Sequence, residues 1–179
     1  MARRAVFLDR DGVLNGTVVR DGRPRPPVSV SHVEVLAGVE TACRQLADAG
    51  YHLIGATNQP EIARGTITRQ SVEDINLVLI ELLGLDDMRV CPHDDADACR
   101  CRKPKPGLLL DAARDFDIDL VSSIMVGDRW KDVAAGEAAG CRTVFIDHGY
   151  DEQRPENPGL TCARLIDAVP WIVKGEANL

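Results

Sequence analysis

The sequence predicts an α/β fold, a doubly wound, Rossmann-like parallel sheet. Three observations predict it. Short apolar runs at 5–8, 52–56, 88–90, 123–126 and 143–146 alternate with stretches of helical periodicity, the pattern of a parallel sheet wound by helices. The first run, Ala5–Leu8, is continuously apolar, as suits a strand covered on both faces. Several of the runs also end abruptly in polar residues, at the strand edge where open α/β sheets bind ligands. With 179 residues and neither an internal repeat nor a low-complexity segment, the chain reads as one domain over 1–179, long enough to bury a core.

The first strand runs directly into Asp9-Arg10-Asp11-Gly12. Residues two apart on an extended chain point the same way, so Asp9 and Asp11 can face one spot. Two close carboxylates repel unless a cation or a proton sits between them, which points to a hard divalent ion with oxygen ligands, Mg²⁺. An Asp-x-Asp-Gly turn without chemistry would use the same residues. Gly12 to Leu36 is polar, with an Asp21-Gly22 turn signal followed by Pro24, Pro26 and Pro27. That reads as a long loop, and such loops in compact domains are functional or mobile.

Val39, Ala42, Cys43, Leu46 and Ala47 recur at helical spacing before a stop at Gly50. The second strand ends at Thr57-Asn58-Gln59, and a helix from Thr68 carries Val72, Ile75, Leu79 and Leu83 on one face up to Gly84. Met88–Val90 is a short third strand. A third helix follows Pro106-Gly107, and the fourth strand ends at Gly127-Asp128. Val133–Ala139 is helical, Thr143–Ile146 is the fifth strand, and Leu165–Val173 is a last helix. The stretch from His148 to Gly159 reads as a linker.

The chain is 45% hydrophobic and only 4% aromatic, with a net charge of −7. That charge argues against a nucleic-acid or membrane-surface binder. Arg64, Arg102, Lys103, Lys105, Arg129 and Lys131 nevertheless fall beside the polar strand ends, which suggests local anion binding on an acidic protein. No apolar stretch approaches the length that spans a bilayer, and Asp9 and Asp11 cut off the first apolar run too early for a signal peptide. A cytoplasmic monomer is expected, in which six cysteines do not form a disulfide framework. Cys43, Cys141 and Cys162 lie on or near apolar segments and read as plain thiols.

In a parallel sheet the strand ends share one edge. Asp9 and Asp11, Thr57 and Asn58, the segment Arg102-Lys103-Pro104, and Asp128 therefore converge. Three carboxylates, a hydroxyl, an amide and a fixed cation fit phosphoryl transfer, with Mg²⁺ and a lysine balancing phosphate charge while a carboxylate attacks phosphorus. Beside them, Cys91, His93, Cys99 and Cys101 follow the pattern C-x-H-x₅-C-x-C. This is a donor set for a closed tetrahedral Zn²⁺ site with no open position, hence a structural one. It would pin the loop that presents Arg102 and Lys103. Three ordinary thiols and a surface histidine are the bland alternative.

Four motifs in order, Phe-Leu-Asp-Arg-Asp-Gly (7–12), Ala-Thr-Asn-Gln (56–59), Arg-Lys-Pro (102–104) and Val-Gly-Asp-Arg-Trp-Lys-Asp (126–132), resemble those of the haloacid dehalogenase (HAD) superfamily of phosphatases over about residues 5–147. The resemblance implies that Asp9 is the nucleophile and Asp11 the general acid–base. Asp9, the backbone carbonyl of Asp11, and Asp128 would hold Mg²⁺. Thr57, Asn58 and Lys103 would bind the transferring phosphate, with Asp132 orienting Lys103. Arg10, Gln59, Arg102 and Arg129 would contact the substrate, with help from Arg64. The intervals that carry cap domains in the superfamily are short here, so the resemblance implies a capless enzyme.

The zinc loop joined to Arg-Lys-Pro narrows the resemblance to two sister families, the heptose bisphosphate 7-phosphatases and the histidinol phosphatases. Ile62-Ala63-Arg64-Gly65 and Pro106-Gly107-Leu108-Leu109-Leu110 look like the heptose enzymes. Thr17-Val18-Val19-Arg20 stands where those usually carry Gly-Tyr-Val. The expected substrate is a small sugar bisphosphate. A phospho-receiver domain would carry its aspartate after the third strand, where Cys91 stands, and a zinc-binding interaction module would not need Asp9, Asp11 and Asp128.

Overall fold

A computed structural model describes residues 3–20 and 23–174. Its frame is a six-stranded, all-parallel sheet in the order β5-β4-β1-β6-β7-β8. The strands are β1 (Ala5–Leu8), β4 (His52–Asn58), β5 (Asp87–Cys91), β6 (Ile124–Gly127), β7 (Arg142–Ile146) and β8 (Leu160–Cys162). β1 sits centrally, with Leu8 beside Gly55 of β4 and Val126 of β6. Asp9 therefore leaves the sheet at its middle, next to the ends of both neighbours.

Alternation along β1 divides the core in two. Val6 and Leu8 pack on one face with α1 (Val39–Asp48), α2 (Arg69–Leu83) and α5 (Leu165–Lys174). Ala5 and Phe7 pack on the other with Ile54, Met125 and α3 (Gly107–Phe116). α4 (Trp130–Ala139) lies on this second face, because Gly136 lets it approach Met125 so closely that a Cβ there would sit 2.6 Å from the Met125 Cβ. Both faces are covered, as the continuous apolar run of β1 requires.

Three local expectations change. The loop at 12–36 contains a two-stranded antiparallel ribbon, β2 (Val18–Arg20) with β3 (Arg23–Arg25), and a 3₁₀ turn at Val30–His32. The Asp21-Gly22 turn signal between the ribbon strands falls outside the described residues. Helix α4 starts at Trp130 rather than Val133, because Asp132 Oδ2 accepts the backbone N–H of Arg129 at 3.0 Å and so caps an earlier turn. The sixth strand, β8, is three residues long and only half-buried, too short to show a period. Among the described residues no helix is long and apolar enough to cross a membrane.

Candidate active site

The carboxyl ends of β1, β4 and β6 open into a cavity of about 620 Å³. At its floor Lys103 is 2% exposed, and its Nζ reaches Asp9 Oδ1 at 2.8 Å, Asp132 Oδ1 at 2.6 Å and the Ala56 carbonyl at 2.6 Å. The lysine arrives from a loop tied to β4, since Asn58 Oδ1 accepts the Lys103 N–H and Asn58 Nδ2 donates to the Lys103 carbonyl. Asp132 is thus an ion-pair partner of Lys103. Asn58 grips the main chain of Lys103 while also lining the cavity.

Oxygens of Asp9, Asp128 and Asp132 lie within 4.8 Å of one another. Burial pushes the Asp9 carboxyl up to about 6, against the pull of Lys103, with the Asp132 charge adding to the rise. Asp128 is raised well above the usual range by burial and then by the charges of Asp9 and Asp132. Lys103 is held charged, because its two carboxylates outweigh its burial. A buried cluster carrying more carboxylates than ammoniums wants a further cation. Asp128 Oδ1 is moreover buried without a hydrogen-bond partner. Both observations fit a divalent ion with oxygen ligands. Gly12 makes room for this arrangement: its φ is +95°, and a Cβ there would fall 2.0 Å from Asp128 Oδ2.

Asp11 lines the same cavity but belongs to a different network. Its carboxylate accepts from Arg10, Asn15 Nδ2 and Gln59 Nε2. Two expectations are corrected here. Arg10 and Gln59 are fully buried and do not line the cavity, so neither is a substrate contact; both lie behind Asp11. The alternation that turns Asp9 and Asp11 to one spot turns Arg10 away from it, whereas Gln59 lies just past the end of β4, where the sequence does not reveal which way it points.

Thr57, Asn58, Arg102, Arg129 and Arg64 do line the cavity. Arg64 makes a bidentate pair with Asp94, at 2.6 and 2.7 Å, and Arg102 pairs with Asp95 at 2.7 Å. Arg129 lies over the Tyr150 ring, 3.5 Å from Glu152. Lys105 instead donates to the carbonyls of Ala98 and Cys99, away from the anion site.

The stretch read as a linker forms one wall. Tyr150, Asp151 and Glu152 line the cavity, and His148 Nε2 donates to the Gly12 carbonyl at 2.7 Å. Burial, and then the Asp128 charge, push the Tyr150 phenol up to about 12. Thr17, which hydrogen-bonds the Tyr150 side chain, Arg25 of β3 and Pro26 also line the cavity. The strand-end rule, applied to β7 as it was to β1, β4 and β6, would have found this wall.

Cys91, His93, Cys99 and Cys101 come together as expected. Their closest donor pairs lie 3.2–3.7 Å apart. Tetrahedral Zn–S bonds of about 2.3 Å place sulfurs roughly 3.7 Å apart, so the donor set fits a zinc ion. Cys91 ends β5 beside Asn58, the last residue of β4, so the cluster is fastened to the sheet at the edge that opens into the cavity.

Comparison with known proteins gives concordant results. Residues 100–168 match the HAD-hydrolase-like family model. The chain is similar to D-glycero-beta-D-manno-heptose-1,7-bisphosphate 7-phosphatase of Haemophilus ducreyi, 35% identical over 96% of this chain and 100% of that protein. The D-glycero-D-manno-heptose-1,7-bisphosphate 7-phosphatase of Thermosynechococcus vestitus is 34% identical over 96% of each. Among solved structures, the D,D-heptose 1,7-bisphosphate phosphatase of B. bronchiseptica, complexed with magnesium and phosphate, superposes with a TM-score of 0.80 at 30% identity, over 96% of this chain and 99% of that one.

Proposed function

The chain belongs to the D-glycero-D-manno-heptose-1,7-bisphosphate 7-phosphatase family of HAD hydrolases, and we propose that it removes the 7-phosphate of that heptose bisphosphate through an aspartyl-phosphate on Asp9. The observation that carries this reading is the Asp9–Lys103 pair at 2.8 Å on the floor of a cavity rimmed by cations. Asp9, Asp128 and the Asp11 backbone carbonyl would hold Mg²⁺, as the magnesium and phosphate bound to the B. bronchiseptica enzyme support. When bound, the ion would offset charge on the transferring phosphoryl group.

In the first half-reaction an Asp9 oxygen bonds to phosphorus. The phosphorus–oxygen bond to the sugar breaks, and the Asp11 proton passes to the departing oxygen. Lys103 Nζ and the Thr57 hydroxyl stand where they can bind phosphoryl oxygens, and Asp132 keeps the ammonium in place. In the second half-reaction water attacks the same phosphorus and gives its proton to Asp11. The Asp9–phosphorus bond breaks and inorganic phosphate leaves. The phosphate at the far end of the substrate would meet Arg25, Arg102, Arg129 and Lys131 on the rim. Among the described residues Arg25 makes no ion pair and is open to an anion, while Lys131 lies over the Trp130 ring with Asp95 in its field.

Zn²⁺ on Cys91, His93, Cys99 and Cys101 would be structural. A monomer in the cytoplasm, where thiols stay reduced, fits this reading. The test compares kcat/KM for heptose 1,7-bisphosphate and histidinol phosphate on one preparation. Preference for the heptose substrate is expected. Preference for histidinol phosphate would reassign the substrate and leave the aspartyl-phosphate chemistry standing.

A further inference from the structure

Arg10 has the largest fully buried side chain among the described residues, with 0% exposure. A guanidinium cannot lose its proton, so burying it demands partners. It has two. Nη1 donates to Asn76 Oδ1 on α2 at 2.9 Å, and Nε and Nη2 fork onto Asp11 at 3.3 and 2.9 Å. Asn76 is itself 5% exposed. The planar fork is therefore held at one end by α2 and grips a cavity-lining carboxylate at the other. Asn15 Nδ2 donates at 2.9 Å to Asp11 Oδ1, which also accepts from Arg10 Nε, and Gln59 Nε2 donates to Oδ2 at 2.7 Å.

We propose that Arg10, braced by Asn76, is the positioning residue for the acid–base carboxylate Asp11, and that Gln59 accommodates the proton Asp11 carries; this rests on the phosphatase reading above. Fold maintenance alone does not explain the side chain. The turn after β1 is closed by the Arg10 main-chain carbonyl, which accepts from Leu14 and Asn15, and any residue supplies that group. Every contact on the Asp11 carboxylate is a donor, so its orientation is fixed while it is ionised. When it holds the proton destined for the leaving oxygen, one of those donors must give way. Gln59 has the means, because its Oε1 is buried without a partner while its Nε2 is shared between Asp11 and Thr57 Oγ1. A half-turn of the amide sets Oε1 to accept the Asp11 proton, and the Thr57 hydroxyl can donate or accept in either state.

A role through Asp11 predicts sensitivity to the leaving group. A sugar alkoxide needs a proton as it departs, and p-nitrophenolate does not. Full-length Arg10→Met, Asn76→Ala and Gln59→Met are compared with wild type on heptose bisphosphate and on p-nitrophenyl phosphate, reading kcat/KM for each. Arg10→Met is expected to lose about 10²-fold on the sugar phosphate, the scale of general acid catalysis. Its kcat/KM on p-nitrophenyl phosphate should change less than roughly threefold, with a burst of p-nitrophenolate as Asp9-phosphate hydrolysis slows. Asn76→Ala and Gln59→Met should show smaller losses with the same substrate contrast, and they carry the test if Arg10→Met does not fold. Equal losses on both substrates, or folded variants with no loss on either, would overturn the proposal. If wild type ignores heptose bisphosphate, the substrate reading fails on its own, and the best alkyl phosphomonoester from a screen serves for the contrast.

Discussion

Two donor clusters stand side by side at the top of the sheet, and they are built in opposite ways. The thiol–imidazole cluster comes from one eleven-residue stretch, 91–101, with its donors clear of the catalytic floor. The carboxylate cluster draws on residues 9, 128 and 132, which only the parallel pairing of β1 with β6 brings together. One is local and soft, a donor set that suits a structural metal; the other depends on the sheet and shares its oxygens with Lys103. Their failures should therefore differ: losing the first should unfasten the loop, and losing the second should stop chemistry in an intact fold.

The sharpest separation comes from Asp9→Asn. Turnover should fall by at least about 10⁴-fold, as for other covalent nucleophiles. The melting temperature should stay close to wild type, since Lys103 keeps Asp132. Residual turnover above that level would remove Asp9 from the reaction.

Cys101→Ser should behave in the opposite manner. Elemental analysis should find about one zinc per wild-type chain and little in the variant. The melting point should fall by roughly 10 °C, which about 3 kcal/mol produces in a chain of this size. Activity should fall with it, because Arg102 and Lys103 follow the cluster directly. Equal melting points with and without zinc would make the two clusters alike after all.

A smaller effect concerns pH. Burial raises the Asp9 carboxyl to about 6 from its ordinary 3.8, so the folded state binds this proton more tightly than the unfolded state. The resulting stability is fully present below about pH 4 and is lost as pH rises through about 6. A divalent cation held by Asp9 would take the place of that proton. Saturating Mg²⁺ should therefore raise the melting temperature more above pH 7 than at pH 5, which differential scanning calorimetry can read. A gain independent of pH would mean that the ion does not bind at Asp9.

The smallest expected effect is at the rim. Arg129→Gln should raise KM for a bisphosphate several-fold, the scale of one charge-assisted contact, and leave kcat nearly unchanged. A drop in kcat of the same size would place Arg129 in the chemistry instead.

The contrast between the clusters also explains what could be read from the sequence. The zinc ligands were legible because their spacing is itself the site. Asp9, Lys103 and Asp128 were legible because strand ends carry a rule that converts order in the chain into proximity. Arg10 was misplaced although the alternation that turns Asp9 and Asp11 to one spot turns Arg10 away from it, and Gln59 was misplaced because it lies just past the end of β4, where no such alternation applies. Tyr150 and Glu152 were passed over because Pro, Gly and Asn around them are also what a linker contains. The ribbon β2–β3 and the edge strand β8 are three residues per strand, shorter than any window in which periodicity shows.

The buried Arg10 guanidinium changes how substitutions at its neighbour must be interpreted. Among the described residues Asp11 is its only ion-pair partner, so Asp11→Asn removes a proton carrier and also strands a positive charge in the protein interior. Such a stranded charge costs about 3–5 kcal/mol when fully enclosed, an upper bound here because the Asp11 side chain is 16% exposed. A loss of activity in that variant mixes two defects. The charge-balanced double variant Arg10→Met/Asp11→Asn separates them: whatever stability it recovers over Asp11→Asn alone measures the electrostatic debt, and whatever activity it still lacks belongs to the proton.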